Sequence, residues 1–118
     1  MAGLQFQVRA ESKYIAGSPI KARRLVNLVR GMRAAQALET LRLMPQAAAD
    51  PIAKTIKSAM ANAEENFGLA KEDLVITEIV ANAGPSRSWR RFGARGRFKP
   101  IIKRTSHIRV VLQEVEEA

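Results

Sequence analysis

The 118-residue sequence contains no cysteine, which excludes disulfides, thiol nucleophiles and cysteine-held metal. Its single histidine, His107, has no second histidine to complete a metal site. Ser106-His107 lacks a local orienting acid and an oxyanion hole, so a hydrolytic triad is not expected. Glu64-Glu65 are chain neighbours on a predicted helix and point about 100° apart, which suits paired-carboxylate chemistry poorly. No enzymatic activity and no cofactor are expected. The start, Met1 to Val8, has no apolar run long enough for a signal peptide or a membrane span, and no membrane partner is expected. The most informative absence is local. Between Arg87 and Arg109 there is no acidic residue.

That stretch holds nine basic residues: Arg87, Arg90, Arg91, Arg95, Arg97, Lys99, Lys103, Arg104 and Arg109. Of 20 Lys plus Arg and 11 Asp plus Glu, removing these nine leaves basic and acidic residues equal in number. One segment thus carries the whole net charge of +9. A pI near 10.9 makes nucleic acid the leading partner class. A second acid-free block, Ser12 to Leu38, adds Lys13, Lys21, Arg23, Arg24, Arg30 and Arg33. Without both blocks the remainder is net −6, so the molecule is expected to be two-sided.

The apolar pattern is that of a globular domain, 47% hydrophobic. Leu4, Phe6, Val8 and Ala10 alternate with polar residues, as a half-buried strand does. After a turn near Gly17, Ser18 is an expected N-cap, Pro19 the first helical residue and Gly31 the stop. Ala22, Leu25, Val26 and Val29 share that helix's apolar face. A second helix is predicted from Ala34 to about Met44, ended by Pro45. Ala34, Ala37, Leu38 and Leu41 form its apolar stripe. A third runs from about Ala47 to Phe67, or starts at Pro51 if Asp50 caps it, with Gly68 as its stop. Its apolar face is Ile52, Ile56, Ala59, Met60, Ala63 and Phe67. Its small residues permit close approach by protein or by RNA. Leu74–Ala81 and His107–Val115 read as further strands, and Glu114 to Glu117 as a solvated tail. The expected fold is α+β: three helices on a small antiparallel three-stranded sheet, with a long protruding basic hairpin at 84–105, all in one domain, 1–118.

The hairpin reading rests on position. The basic segment joins two strands, Gly84-Pro85 marks a bend, and Gly93 and Gly96 bracket the midpoint near Ala94 and Arg95. Each arm of about ten residues would reach roughly 30 Å. Such a ribbon has no core of its own and is expected to order on a partner. Trp89, Phe92 and Phe98 are interleaved with the arginines. They either stack on unpaired bases or pack across the hairpin. Gly93-Ala94-Arg95-Gly96 matches a GxxG pattern of the KH domain, but there it joins two helices. Two nucleic-acid readings stand: a structural RNA-binding protein, or a DNA-bending protein with basic ribbon arms, which would usually need a dimer. An RNA-processing enzyme is a third, disfavoured by the shortage of catalytic groups.

Three separated motifs in order carry a family resemblance. The first is Ser18-Pro19, Lys21-Ala22-Arg23, Leu25-Val26 and Val29-Arg30-Gly31. The second is Lys57-Ser58-Ala59-Met60-Ala61-Asn62-Ala63-Glu64 with Asn66. The third is Gly84-Pro85-Ser86, Ala94-Arg95-Gly96-Arg97 and Lys103-Arg104-Thr105-Ser106-His107-Ile108. With these the chain resembles the bacterial large-subunit ribosomal protein L twenty-two family over nearly its whole length. The resemblance implies a monomer within the cytoplasmic ribosome that binds large-subunit (23S) rRNA early in assembly and touches neighbouring ribosomal proteins. It also implies a hairpin that lines the exit tunnel beside the nascent polypeptide, and whose tip in the family is associated with macrolide resistance and nascent-chain sensing. Lys21, Arg23, Arg30, Arg95, Arg97, Lys103, Arg104 and His107 match the family's motif positions. With the charge blocks, the expected rRNA-binding set adds Lys13, Arg24, Arg87, Arg90, Arg91 and Lys99. The expected tunnel-lining segment is Trp89, Arg90, Arg91, Phe92, Gly93, Ala94, Arg95, Gly96 and Arg97. Ser88-Trp89 and Phe92-Gly93 depart from the family pattern there, where many relatives carry Lys-Arg and Pro-Arg.

Overall fold

A computed structural model describes residues 7–92 and 98–114, with side chains described except at 87–92 and 98–102. Its elements run β1 (Gln7–Ala16), α1 (Pro19–Val29), α2 (Ala34–Arg42), α3 (Ala49–Phe67), a 3-10 turn (Lys71–Asp73), β2 (Leu74–Ala83), β3 (Arg87–Phe92), β4 (Phe98–Lys103) and β5 (Thr105–Glu114). Strands β1, β5 and β2 form an antiparallel sheet in that order, and the helices pack on one face of it. This is the expected α+β arrangement. Val8, Ala10, Leu74, Ile76, Ile79, Ala81, Ile108, Val110 and Leu112 supply the sheet's side of one core. Alternation along β1 and β5 aims these residues at the helices, and in β2 a register shift between Ile76 and Glu78 keeps Ile79 and Ala81 on the same face as Leu74 and Ile76.

The helix boundaries follow local chemistry. Ser18 Oγ accepts the Ile20 N–H at 3.3 Å, Pro19 opens α1, and Gly31 takes φ +84° beyond its end. Helix α2 stops at Arg42, two residues short of the expected Met44, and leaves Leu43 85% exposed. In α3 the cap is Ala48, not Asp50. Asp50 instead lies in the first turn and pairs with Lys54 at 3.1 Å, and Pro51 still falls where no intrahelical N–H is needed. Phe67, expected in the core, is 47% exposed. The reason is the helix end: Gly68 turns left-handed at φ +64°, and the Leu69 N–H bonds back to the Ala63 carbonyl at 3.1 Å. That reversal buries Leu69 rather than Phe67.

Strand β1 runs further than the alternation suggested. Val8 and Ala10 are buried as expected, while Leu4 and Phe6 lie outside the described residues. The strand continues to Ala16 through a bulge: Ser12 faces Ile108, but Ile15 faces Ser106. One extra residue is absorbed on β1, with Tyr14 at φ +59°. Strand β5 is likewise longer than read, starting at Thr105. Arg109, counted with the basic segment, belongs to β5 in the sheet, paired with Glu78 at 2.6 Å.

The sheet leads directly into the basic segment. Strands β3 and β4 form a second, two-stranded antiparallel sheet, joined to β2 by three residues and to β5 by Arg104 alone. The proposed turn at Gly93, Ala94, Arg95, Gly96 and Arg97 lies outside the described residues, as does the tail from Val115 to Ala118. A compact chain of this length would have a radius of gyration of about 13 to 14 Å. The observed value is 17.7 Å, with extents of 69 × 25 × 24 Å. An elongated molecule fits a projecting hairpin.

At the junction the backbones are cross-tied. The Gly84 N–H donates to the Thr105 carbonyl at 2.9 Å, and the Gly17 N–H to the Arg104 carbonyl at 3.0 Å. Thr105 Oγ1 donates to the Pro85 carbonyl at 2.8 Å. A Cβ on Gly84 would run into Thr105 Oγ1 and come within 3.1 Å of the His107 ring. Gly84→Ala is therefore expected to cost about 1–3 kcal/mol in denaturant unfolding, as overpacking does. Adding Thr105→Ala removes the obstacle. The double variant should be more stable than additivity of the two single changes allows.

Candidate nucleic-acid interface

The basic residues fall into three settings. Within the ribbon, register is the informative fact. Arg87 stands opposite Lys103, Trp89 opposite Ile101, and Arg91 opposite Lys99. Strand alternation puts these positions on one face. The other face carries Ser88 opposite Ile102, Arg90 opposite Pro100 and Phe92 opposite Phe98. Two like-charged pairs thus sit directly across the ladder. Such pairs destabilise a sheet, and this one has no third strand.

The second setting is the root of the ribbon and the N-terminal half of α1. Lys13, Lys21, Arg24 and Arg104 are exposed, and their side chains have no hydrogen-bond or ion-pair partner among the described residues. Lys103 is also exposed. His107 is half-buried, and its Nδ1 accepts the Tyr14 N–H at 3.0 Å. An N–H can only donate, so Nδ1 is the acceptor, and the ring serves as a strut for the β1 bulge. The Tyr14 and His107 rings meet edge to face with centroids 5.0 Å apart. The strut opposes a left-handed backbone at Tyr14, which costs a non-glycine residue about 1–2 kcal/mol. Ser12, just before the bulge, is tied to α3. Thr55 Oγ1 gives its proton to the Pro51 carbonyl at 2.8 Å, so it must accept from Ser12 Oγ, also 2.8 Å away.

In the third setting the cations have structural work. β2 is an edge strand, with outward carbonyls that another chain could pair with. Arg23 Nε donates to the Ala81 carbonyl at 3.0 Å, and Arg30 to the Ile79 carbonyl at 2.9 Å. Below them the Gly31 N–H donates to the Ile76 carbonyl at 3.1 Å, and the Ile76 N–H to the Met32 carbonyl at 2.9 Å. One face of α1 and the chain after it thus close the β2 edge. Arg23 and Arg30 remain exposed at their outer surfaces, so a phosphate contact is compatible with this role.

Five of the described acids gather at the other end of the sheet, while Glu11, Glu39, Asp50 and Glu78 lie elsewhere. Glu64 and Glu65 end α3, Glu72 and Asp73 form the 3-10 turn, and Glu114 pairs in register with Leu74. Along the strands this cluster lies opposite the root of the ribbon, which carries Lys13, Lys103 and Arg104. Among the described residues no group of His, Asp or Glu could hold a metal ion, and no helix is long and apolar enough to cross a membrane. The sequence reading missed Tyr14. Its signal was available: an aromatic inside an acid-free block, next to Lys13 and just before a turn.

The family model for ribosomal protein L22p/L17e matches residues 10–113, from within β1 to one residue short of the end of β5. The chain belongs to this family. It is 45% identical over 118 residues to the large ribosomal subunit protein uL22 of Synechococcus sp. (strain JA-2-3B'a(2-13)), covering 100% of this chain and 95% of that protein. To the protein of the same name from Synechococcus sp. (strain JA-3-3Ab) it is 44% identical over 116 residues, with 98% and 94% covered. Members of the L22p/L17e family are structural constituents of the ribosome, not enzymes. Within this L22p/L17e chain, Arg23 and Arg30 should separate from Lys21 and Arg24 by their effect on stability. Arg23→Ala and Arg30→Ala are each expected to cost about 1 kcal/mol, the net worth of such a bond. Lys21→Ala and Arg24→Ala should stay within about 0.5 kcal/mol in the same urea titrations.

Proposed function

We propose that the chain is a structural constituent of the large subunit of the cytoplasmic ribosome that binds 23S rRNA, assists assembly, and lines the peptide exit tunnel with its 84–105 hairpin. The whole chain acts as one domain with the hairpin as its arm, without catalysis, cofactor or membrane contact. It works as a monomer among neighbouring large-subunit proteins, and its arm lies beside the nascent polypeptide. The observation that carries this reading is the pairing of Arg87 with Lys103 and of Arg91 with Lys99. A ribbon built with like charges opposed is unfavourable alone and favourable on a polyanion. Phosphates between the two arms turn repulsion into bridged contacts and release counterions. Lys13, Lys21, Arg24 and Arg104 extend the same positive surface onto the globular part, and Arg23 and Arg30 add to it while holding the fold. His107, whose Nδ1 accepts the Tyr14 N–H, joins the proposed set by hydrogen bonding rather than by charge. The tip from Trp89 to Arg97, with its departures at Ser88-Trp89 and Phe92-Gly93, is the tunnel-facing part of the proposal.

Binding to rRNA should weaken steeply with salt. If about six phosphates are neutralised, the log–log slope should be roughly −4 to −5. Arg91→Glu gives a sharper test because two properties should move in opposite directions. Opposed to Lys99, the new carboxylate should raise hydrogen-exchange protection of the free ribbon, by up to about 1 kcal/mol. The same change should weaken rRNA binding and reduce the salt slope by about one. A slope near zero, or unchanged binding by the variant, contradicts the electrostatic account. Tighter binding to duplex DNA than to folded rRNA would favour a DNA-bending role instead.

A further inference from the structure

We infer that the root of the hairpin holds a single unpaired nucleotide of RNA, with its base stacked on Tyr14 and its phosphate on Arg104 and Lys103. This rests on the rRNA-binding reading above and adds a defined subsite to it. Tyr14 is 66% exposed, although a bulge, a left-handed backbone and the His107 strut all fix its position. A side chain with no task could be solvated without any of these. Positions held against backbone strain by their surroundings mark sites where geometry serves function.

The ring borders an open cleft of about 380 Å³, lined also by Ala16, Pro85, Lys103, Arg104 and Thr105. That volume falls in the range of small-ligand sites. Its lining contains an aromatic face, apolar walls and two cations, and no acid. Lys13 lies next to Tyr14 and is exposed. An aromatic plane beside cations matches a base and its phosphate together, and RNA presents such bases where they are unpaired. A duplex keeps its bases stacked inside and cannot offer one to a side chain on a strand. The floor is rigid: the Thr105 hydroxyl is bonded to the Pro85 carbonyl, and the Arg104 carbonyl to the Gly17 N–H. A nucleotide clamped here would touch both β1 and the segment that leads from β4 into β5, and so would fix the direction in which the ribbon leaves the domain.

The test uses the full chain and in vitro transcribed large-subunit rRNA. Tyr14→Leu keeps an apolar side chain and removes the aromatic plane, while Tyr14→Phe keeps the plane. Loss of one stacked base corresponds to about 5- to 150-fold in affinity. Tyr14→Leu should fall in that range and Tyr14→Phe should bind like the wild type. A photo-reactive benzoylphenylalanine in place of Tyr14 should cross-link to one unpaired nucleotide, a readout that does not depend on the leucine variant folding. Equal binding by Tyr14→Leu, or cross-links to paired nucleotides or to protein alone, overturns the subsite and leaves rRNA binding by the wild type intact. Failure of the wild-type protein to bind rRNA overturns both.

Discussion

Strand β5 is hydrogen-bonded along both edges, to β1 and to β2, and everything else in the molecule is arranged around that pairing. Its inward residues Ile108, Val110 and Leu112 are at the centre of the core, where the helices meet the sheet. Its first residue, Thr105, takes part in the bonds that tie the hairpin's root together. The ribbon of β3 and β4 therefore starts from the best-supported strand of the domain. A two-stranded ribbon has little stability of its own, but a stiff origin gives it a direction.

The charge distribution uses that geometry. Glu64, Glu65, Glu72, Asp73 and Glu114 cluster where α3 ends and β2 begins. The opposite end of the sheet carries Lys13, Lys103 and Arg104 at the root of the ribbon. The register places like charges opposite one another at Arg87–Lys103 and Arg91–Lys99, an arrangement that is unfavourable in an isolated ladder and that the proposed anionic partner would relieve. Under the proposed function the arm would depend on its partner, as segments that order on binding do.

Local features were the legible ones. Ser18, Pro19, Gly31 and Gly68 marked helix ends because caps depend on residues a few positions apart. The core face of α1 followed from periodicity alone. What could not be read were effects that join distant segments. Arg23 and Arg30 looked like two more surface cations, and only the placement of β2 beside α1 gives them carbonyls to bond. Phe67 matched the apolar face of α3, but the left-handed turn at Gly68 passed its place to Leu69. Tyr14 broke the alternation of β1 because the bulge adds a residue, and that bulge is held by His107, 93 positions away. Arg109 counted toward the basic segment by sequence, yet it serves the sheet through Glu78.

If the opposed cations of the ribbon face rRNA along the tunnel wall, as proposed, a density map of the assembled large subunit containing this chain will show it. The positions of Arg87, Arg91, Lys99 and Lys103 should then lie within contact distance of rRNA phosphates, with the segment from Trp89 to Arg97 at the tunnel. A ribbon lying in solvent or against protein alone, with those four positions away from phosphate, would contradict the proposal.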